Sequence, residues 1–228
     1  MSDKSKPNTS TNQRKRTNIL KNFEAKTIQF LCSIMPDWIS SDMLTFIGGI
    51  GSIIIAVGLY FGNENQIWLL ISIFGFIVQW FGDSLDGRLA YYRNTPRKWY
   101  GWSLDITVDW LSVGIIGFGF YYYFNSLKPV AFLFIFAYGW SMINALLRYK
   151  ITDVYSIDAS AVGPTELRII ICLFILAEFI FPNALLYFGV FGSALLIVIN
   201  TFDTISILKA GDARDKSEKS QILKENKL

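Results

Sequence analysis

The apolar residues of this chain fall into six blocks of roughly 20 residues, the length an α-helix needs to cross a hydrocarbon core of about 30 Å. The blocks cover about Asp42–Phe61, Gln66–Trp80, Trp99–Phe124, Pro129–Tyr149, Pro164–Phe181 and Asn183–Leu208, and the second continues as helix past Asp86. The composition fits: 52% of residues are hydrophobic, only 17% are charged, and the mean hydropathy is +0.37. The expected fold is an all-α membrane protein with six transmembrane helices preceded by an amphipathic interfacial helix. Residues 18–208 form the membrane domain, between a disordered basic tail (1–17) and a charged tail (209–228).

The interfacial helix is expected over Asn18–Met35. Leu20, Phe23, Thr27, Leu31, Ile34 and Met35 recur at helical spacing with Lys21, Glu24 and Lys26 between them, too polar a pattern to span. The head before it carries Arg14-Lys15-Arg16 and lacks the apolar stretch and cleavage site of a signal peptide. Lys and Arg orient the bundle. One face receives the head, the Arg88–Lys98 segment, the Arg148–Arg168 segment and the tail, with 7, 4, 3 and 6 basic residues; the other receives only Lys128. Both termini and the Asp83–Asp109 region are therefore expected on the cytoplasmic side. No basic, aromatic surface is left outside the bilayer, which argues against a nucleic-acid partner.

The chain has no histidine and two cysteines, Cys32 and Cys172. That removes the commonest general base, the Ser-His-Asp triad and the usual zinc ligands. Chemistry must run on carboxylates, Lys/Arg, Tyr and hydroxyls. Four aspartates stand out. Asp83 and Asp86 are i,i+3 near the end of the second block; Asp105 and Asp109 are i,i+4 near the start of the third. Each pair shares one helical face, and two consecutive antiparallel helices can turn those faces together.

Bare carboxylates at mid-helix in a membrane cost about 2.5–3.5 kcal/mol each on insertion scales. Divalent cations relieve that, and an all-oxygen site suits Mg2+, Mn2+ or Ca2+ rather than zinc. Magnesium is commonly shared with substrate phosphates, so a phosphate-bearing substrate follows. The plain alternative is a solvated cap, or ion pairs to Arg88 and Arg93. Gly87, Ala90 and Gly101 leave room for a nucleotide, or else for close helix packing.

These residues resemble the signature of the CDP-alcohol phosphatidyltransferase family: Asp-x-x-Asp-Gly-x-x-Ala-Arg, then Gly-x-x-x-Asp-x-x-x-Asp. Asp83, Asp86, Gly87, Ala90, Gly101, Asp105 and Asp109 match in order and spacing, while Tyr91 stands where the signature has Arg. Asp42-Met43-Leu44-Thr45 is similar to the family's Asn-x-x-Thr opening of the first span. The resemblance implies that Asp83, Asp86 and Asp105 hold Mg2+ or Mn2+, and that Asp109 approaches the metal and serves as base on the acceptor hydroxyl. It places Thr45, Gly87, Ala90 and Gly101 near a CDP-linked lipid or alcohol donor. Arg88 or Arg93 then replaces the signature arginine. It also implies CMP release, an alcohol or diacylglycerol acceptor and a homodimer.

Glu166 and Arg168, where the fifth block begins, are candidates for the acceptor pocket, or else for an interfacial cap. A divalent-cation transporter is the competing class, but the aspartates sit at the mouth of the bundle rather than at mid-bilayer. A structural scaffold leaves the four acids unexplained.

Overall fold

The computed structural model describes residues 21–125, 127–152 and 163–225, and among these every regular element is helical. The elements are α1 (Lys21–Ile34), α2 (Ser41–Gly62), a 3-10 turn (Gln66–Trp68), α3 (Leu69–Tyr92), α4 (Lys98–Tyr123), α5 (Lys128–Thr152), α6 (Pro164–Glu178) and α7 (Ala184–Glu225). The basic head and most of the expected Asp158–Gly163 linker lie outside the described residues.

Five segments are long and apolar enough to cross a membrane: α2, Gln66–Tyr92, α4, α5 and the apolar part of α7. The six expected spans are thus matched in part. α6, with 15 residues, stops short of the expected Pro164–Phe181. Its end is set by Glu178, which is 5% exposed. The Glu178 carboxylate accepts the backbone N–H of Asn183 at 2.9 Å and of Leu185 at 2.8 Å, satisfying amides at the start of α7. Asn183, at φ 69°, makes the reversal.

α7 continues unbroken for 42 residues, through the charged residues that follow Leu208. Asp212 pairs with Lys216 and Arg214 with Glu218, both at i,i+4. Arg214 also donates to the carbonyls of Lys150 (3.1 Å) and Ile151 (2.8 Å), which α5 leaves open at its end.

Neighbour contacts close a ring in the order α2, α4, α5, α7, α6, α3, and α1 rests on α3. The α2–α3 seam is the tightest. A Cβ on Gly51 would lie 2.5 Å from the Gln79 nitrogen, so only glycine permits this approach of two backbones. Ser72 Oγ donates to the Ile55 carbonyl (3.0 Å) and Gln79 Nε2 to Ser52 Oγ (3.1 Å), which locks the register. Ile28 and Cys32 of α1 are buried with Leu44, Leu85 and Leu89.

Polar groups hold α5 to α7. Asn200 Nδ2 donates to the Ala137 carbonyl (2.7 Å), its side-chain oxygen accepts from Ser141 Oγ (2.8 Å), and its carbonyl accepts from Asn144 Nδ2 (3.2 Å). Trp140 Nε1 donates to Thr204 Oγ1, and Arg148 pairs with Asp203.

Candidate active site

Gln79, Asp83 and Asp86 follow one another along the inward face of α3 at intervals of four and three residues. Asp105 and Asp109 do the same on α4. Because α2 packs tightly on both helices, it sets the two aspartate pairs at one level. One carboxylate oxygen from each of Asp83, Asp105 and Asp109 lies within 4.8 Å of the others. That spread is close to the ~4–5 Å separating oxygens on opposite sides of a hard divalent ion.

Asp86 is held differently. It is 7% exposed and accepts Thr45 Oγ1 at 2.6 Å and the Gly87 N–H at 2.5 Å. Ser41 Oγ reaches the Asp86 carbonyl at 2.8 Å. All four aspartates nevertheless border one small void of about 10 Å³ together with Thr45 and Gln79. Three convergent carboxylates with a fourth beside them repel one another. The donors are all oxygen, so the set fits a hard divalent cation.

Opposite the cluster, Arg168 of α6 donates through Nη2 to Asp83 Oδ2 and through Nε to Gln79 Oε1 (3.2 Å). Two elements far apart in sequence meet here. Glu166 plays another part: its carboxylate accepts the Gly163 N–H at 3.1 Å and caps α6, on which Arg168 rides.

The cluster opens into a cavity of about 860 Å³ inside the ring. Thr45, Gly87, Arg88, Ala90, Tyr91, Gly101 and Arg168 line it. Gly87 and Gly101 face open space, with nothing within 4 Å of where a Cβ would stand. Arg93 and Glu166 are not among the lining residues. Arg93 instead donates to the carbonyls of Ile39 (2.5 Å), Pro36 (2.8 Å) and Met35 (3.2 Å), stitching the α1–α2 connection to the end of α3.

At the mouth Arg97 pairs with Asp42, which pushes its guanidinium pKa up, and lies 4.3 Å over the Tyr100 ring. Arg88, Arg97 and Lys98 line this part of the cavity together with Asp42 and Glu24.

Sequence reasoning missed Gln79 and Tyr138. Gln79 is one helical turn before Asp83, and extending the i,i+4 count backward finds it. Tyr138 lines the cavity from α5 within electrostatic reach of Asp109 and Arg168. In the sequence it is one aromatic among many.

Residues 38–200 match the profile of the CDP-alcohol phosphatidyltransferase family. The fold is similar to that of phosphatidylinositol phosphate synthase from Mycobacterium tuberculosis with CDP-DAG bound. The TM-score is 0.57 at 18% identity, covering 83% of this chain and 94% of that one. The apo form of the same synthase gives a TM-score of 0.56 at 18% identity, covering 81% and 94%. At this identity the likeness concerns the fold. No curated protein sequence matches the chain.

Proposed function

The chain belongs to the CDP-alcohol phosphatidyltransferase family, and from that premise we propose that it transfers a substituted phosphate from a CDP-linked donor to an alcohol hydroxyl. The observation that carries the reading is the convergence of Asp83, Asp105 and Asp109 on the wall of a large cavity that Arg88, Arg97 and Lys98 also line. Such a site suits a substrate with a diphosphate at one end and apolar matter at the other.

Asp83, Asp105 and Asp109 would hold the divalent ion, with Asp86 beside them and fixed by Thr45. When bound, that ion neutralises diphosphate charge and makes the phosphorus easier to attack. Arg88, Arg97 and Lys98 draw the anionic donor into the mouth. Gly87 and Gly101, with no side chain, leave space for the nucleotide. Asp109 takes the proton of the acceptor hydroxyl as its oxygen bonds to phosphorus. The bond from that phosphorus to the bridging oxygen breaks, and CMP leaves with the electron pair. Arg168 holds Asp83 and presents a positive charge to the same space.

CDP-DAG occupies the M. tuberculosis synthase, which favours a CDP-linked lipid donor here. The bias of twenty Lys/Arg to one supports a cytoplasmic active site and termini. It also supports α6 as the inner part of a sixth crossing, completed by the Glu178–Ala184 reversal.

The test is CMP release by purified protein in detergent with Mg2+ or Mn2+. Labelled CDP-diacylglycerol and CDP-aminoalcohols are each offered against serine, glycerol phosphate, inositol, inositol phosphate and diacylglycerol. One donor–acceptor pair should turn over in a metal-dependent way. Folded protein that releases no CMP from any pair overturns the proposal.

A further inference from the structure

Tyr138 on α5 lines the same cavity as the aspartates, and the proposed reaction gives it no part. Of the α5 residues along that wall, only Tyr138 and Tyr149 carry a side-chain oxygen or nitrogen. Tyr149 stands nearer the mouth by about 16 Å of helix. Two glycines set the level of Tyr138. A Cβ on Gly139 would lie 2.6 Å from Cζ3 of Trp110, and one on Gly117 would lie 2.1 Å from Cδ1 of Ile135. The antiparallel helices α4 and α5 therefore lie close, with Trp110 beside Gly139 and Gly117 beside Ile135. That register brings Tyr138 to within about one helical turn of the level of Asp109.

The half-buried Tyr138 ring stacks on Phe134, one turn earlier, with 6.4 Å between centroids and 19° between planes. Its hydroxyl has no hydrogen-bond partner among the described residues, and it stands within electrostatic reach of Asp109, Arg168 and Asp83. The groups around it are committed elsewhere. Arg168 is bonded to Asp83 and Gln79, and Asp86 to Thr45. The Asp109 carboxylate accepts no hydrogen bond from the described residues. An O–H and a carboxylate thus face one cavity without partners, too far apart to bond each other. Polar groups withdrawn from water are costly in that condition, so a polar group belongs between them.

A hydroxyl satisfies both, because it donates one hydrogen bond and accepts others. Resting on the function above, we infer that Tyr138 is the second anchor of the acceptor: its O–H donates to the acceptor hydroxyl oxygen while that hydroxyl donates to Asp109. A single bond leaves the hydroxyl free to swing about the Asp109 axis. The second bond fixes it and turns the remaining lone pair toward the phosphorus. As the new bond to phosphorus forms, the acceptor proton passes to Asp109 and Tyr138 keeps its own.

Tyr138→Phe deletes one oxygen and keeps the ring on Phe134. With the donor–acceptor pair that the wild type turns over, kcat/KM for the acceptor should fall about 10- to 100-fold. The donor KM and the Mn2+ affinity should stay within about twofold of the wild type, and the thermal midpoint should not move. A deoxy analogue of that acceptor, with hydrogen in place of the reacting hydroxyl, supplies a readout independent of turnover. As an inhibitor it should bind wild type and Tyr138→Phe equally, since the contact that the variant removes is one the analogue never makes.

An acceptor kcat/KM unchanged in Tyr138→Phe overturns the inference while leaving the reaction intact. So does a deoxy analogue weakened as much as the acceptor, or a loss matched in donor KM, Mn2+ affinity and thermal midpoint, which marks a structural role. A wild-type protein inert toward every pair overturns the function itself.

Discussion

Arg168 of α6 reaches across the ring and donates to the carboxylate of Asp83 on α3, 85 residues away in sequence. This pair ties the second half of the chain to the aspartate cluster of the first. Arg168→Ala should cut kcat/KM about 100-fold or more, because a partly buried carboxylate loses its partner. Arg168→Lys should recover little: an ammonium cannot serve Asp83 and Gln79 together as the planar guanidinium does. CMP release by the two variants, with their melting profiles as a folding control, checks this.

Asp109→Asn is isosteric and keeps the packing but not the proton acceptor. Turnover should fall by about 100- to 10,000-fold, with the thermal midpoint in detergent near that of the wild type. Full activity in the purified variant removes Asp109 from the chemistry.

Thr45 bonds Asp86 at 2.6 Å from a different helix. Thr45→Val keeps the shape and loses the hydroxyl. The Mn2+ concentration for half-maximal binding should rise about 10- to 100-fold, as for other residues that orient metal ligands. Mn2+ titration followed by electron paramagnetic resonance reads this without substrate.

Gly82 stands where a Cβ would run into the backbone of Gly48 and Leu44. Gly82→Ala should force α2 and α3 apart and destabilise the fold by about 1–3 kcal/mol. The same change at Gly87, which lies within α3 and faces open space, should hold or raise the melting temperature. Thermal unfolding of the two variants side by side makes the comparison.

Cys32 is 4% exposed, and burial pushes its thiol pKa up, against the opposing charges of Arg88 and Arg93. A raised pKa leaves less thiolate at any given pH. In a Cys172→Ser background, maleimide labelling near pH 8 should be far slower than for a free thiol, and denaturant should restore it. Fast labelling of the native protein would show that α1 does not stay on the bundle.

The aspartates were readable because helical spacing alone puts each pair on one face, and a membrane makes unpaired carboxylates conspicuous. The spans were readable from apolar length. The unequal parts of the four aspartates were not, since Thr45 reaches Asp86 only through the packing of α2 on α3. The short α6 was hidden for a related reason. Phe179, Ile180 and Phe181 prolong its apolar block, and only the capping of α7 by Glu178 shows where the helix stops. The charges after Leu208 hid the length of α7, because a run of mixed charge is as compatible with coil as with helix until its i,i+4 partners and the end of α5 are in place.

That unbroken α7 has a mechanical consequence. Past Arg214, where it hydrogen-bonds the end of α5, the helix rises about another 16 Å to Glu225. Ionic screening acts over about 8 Å at physiological salt. The tip therefore stands roughly two screening lengths beyond the end of the bundle, as a rigid mast. Lys224 there, about 15 Å past Arg214, is screened from the charges at the end of the bundle, so its associations are left to their local chemistry.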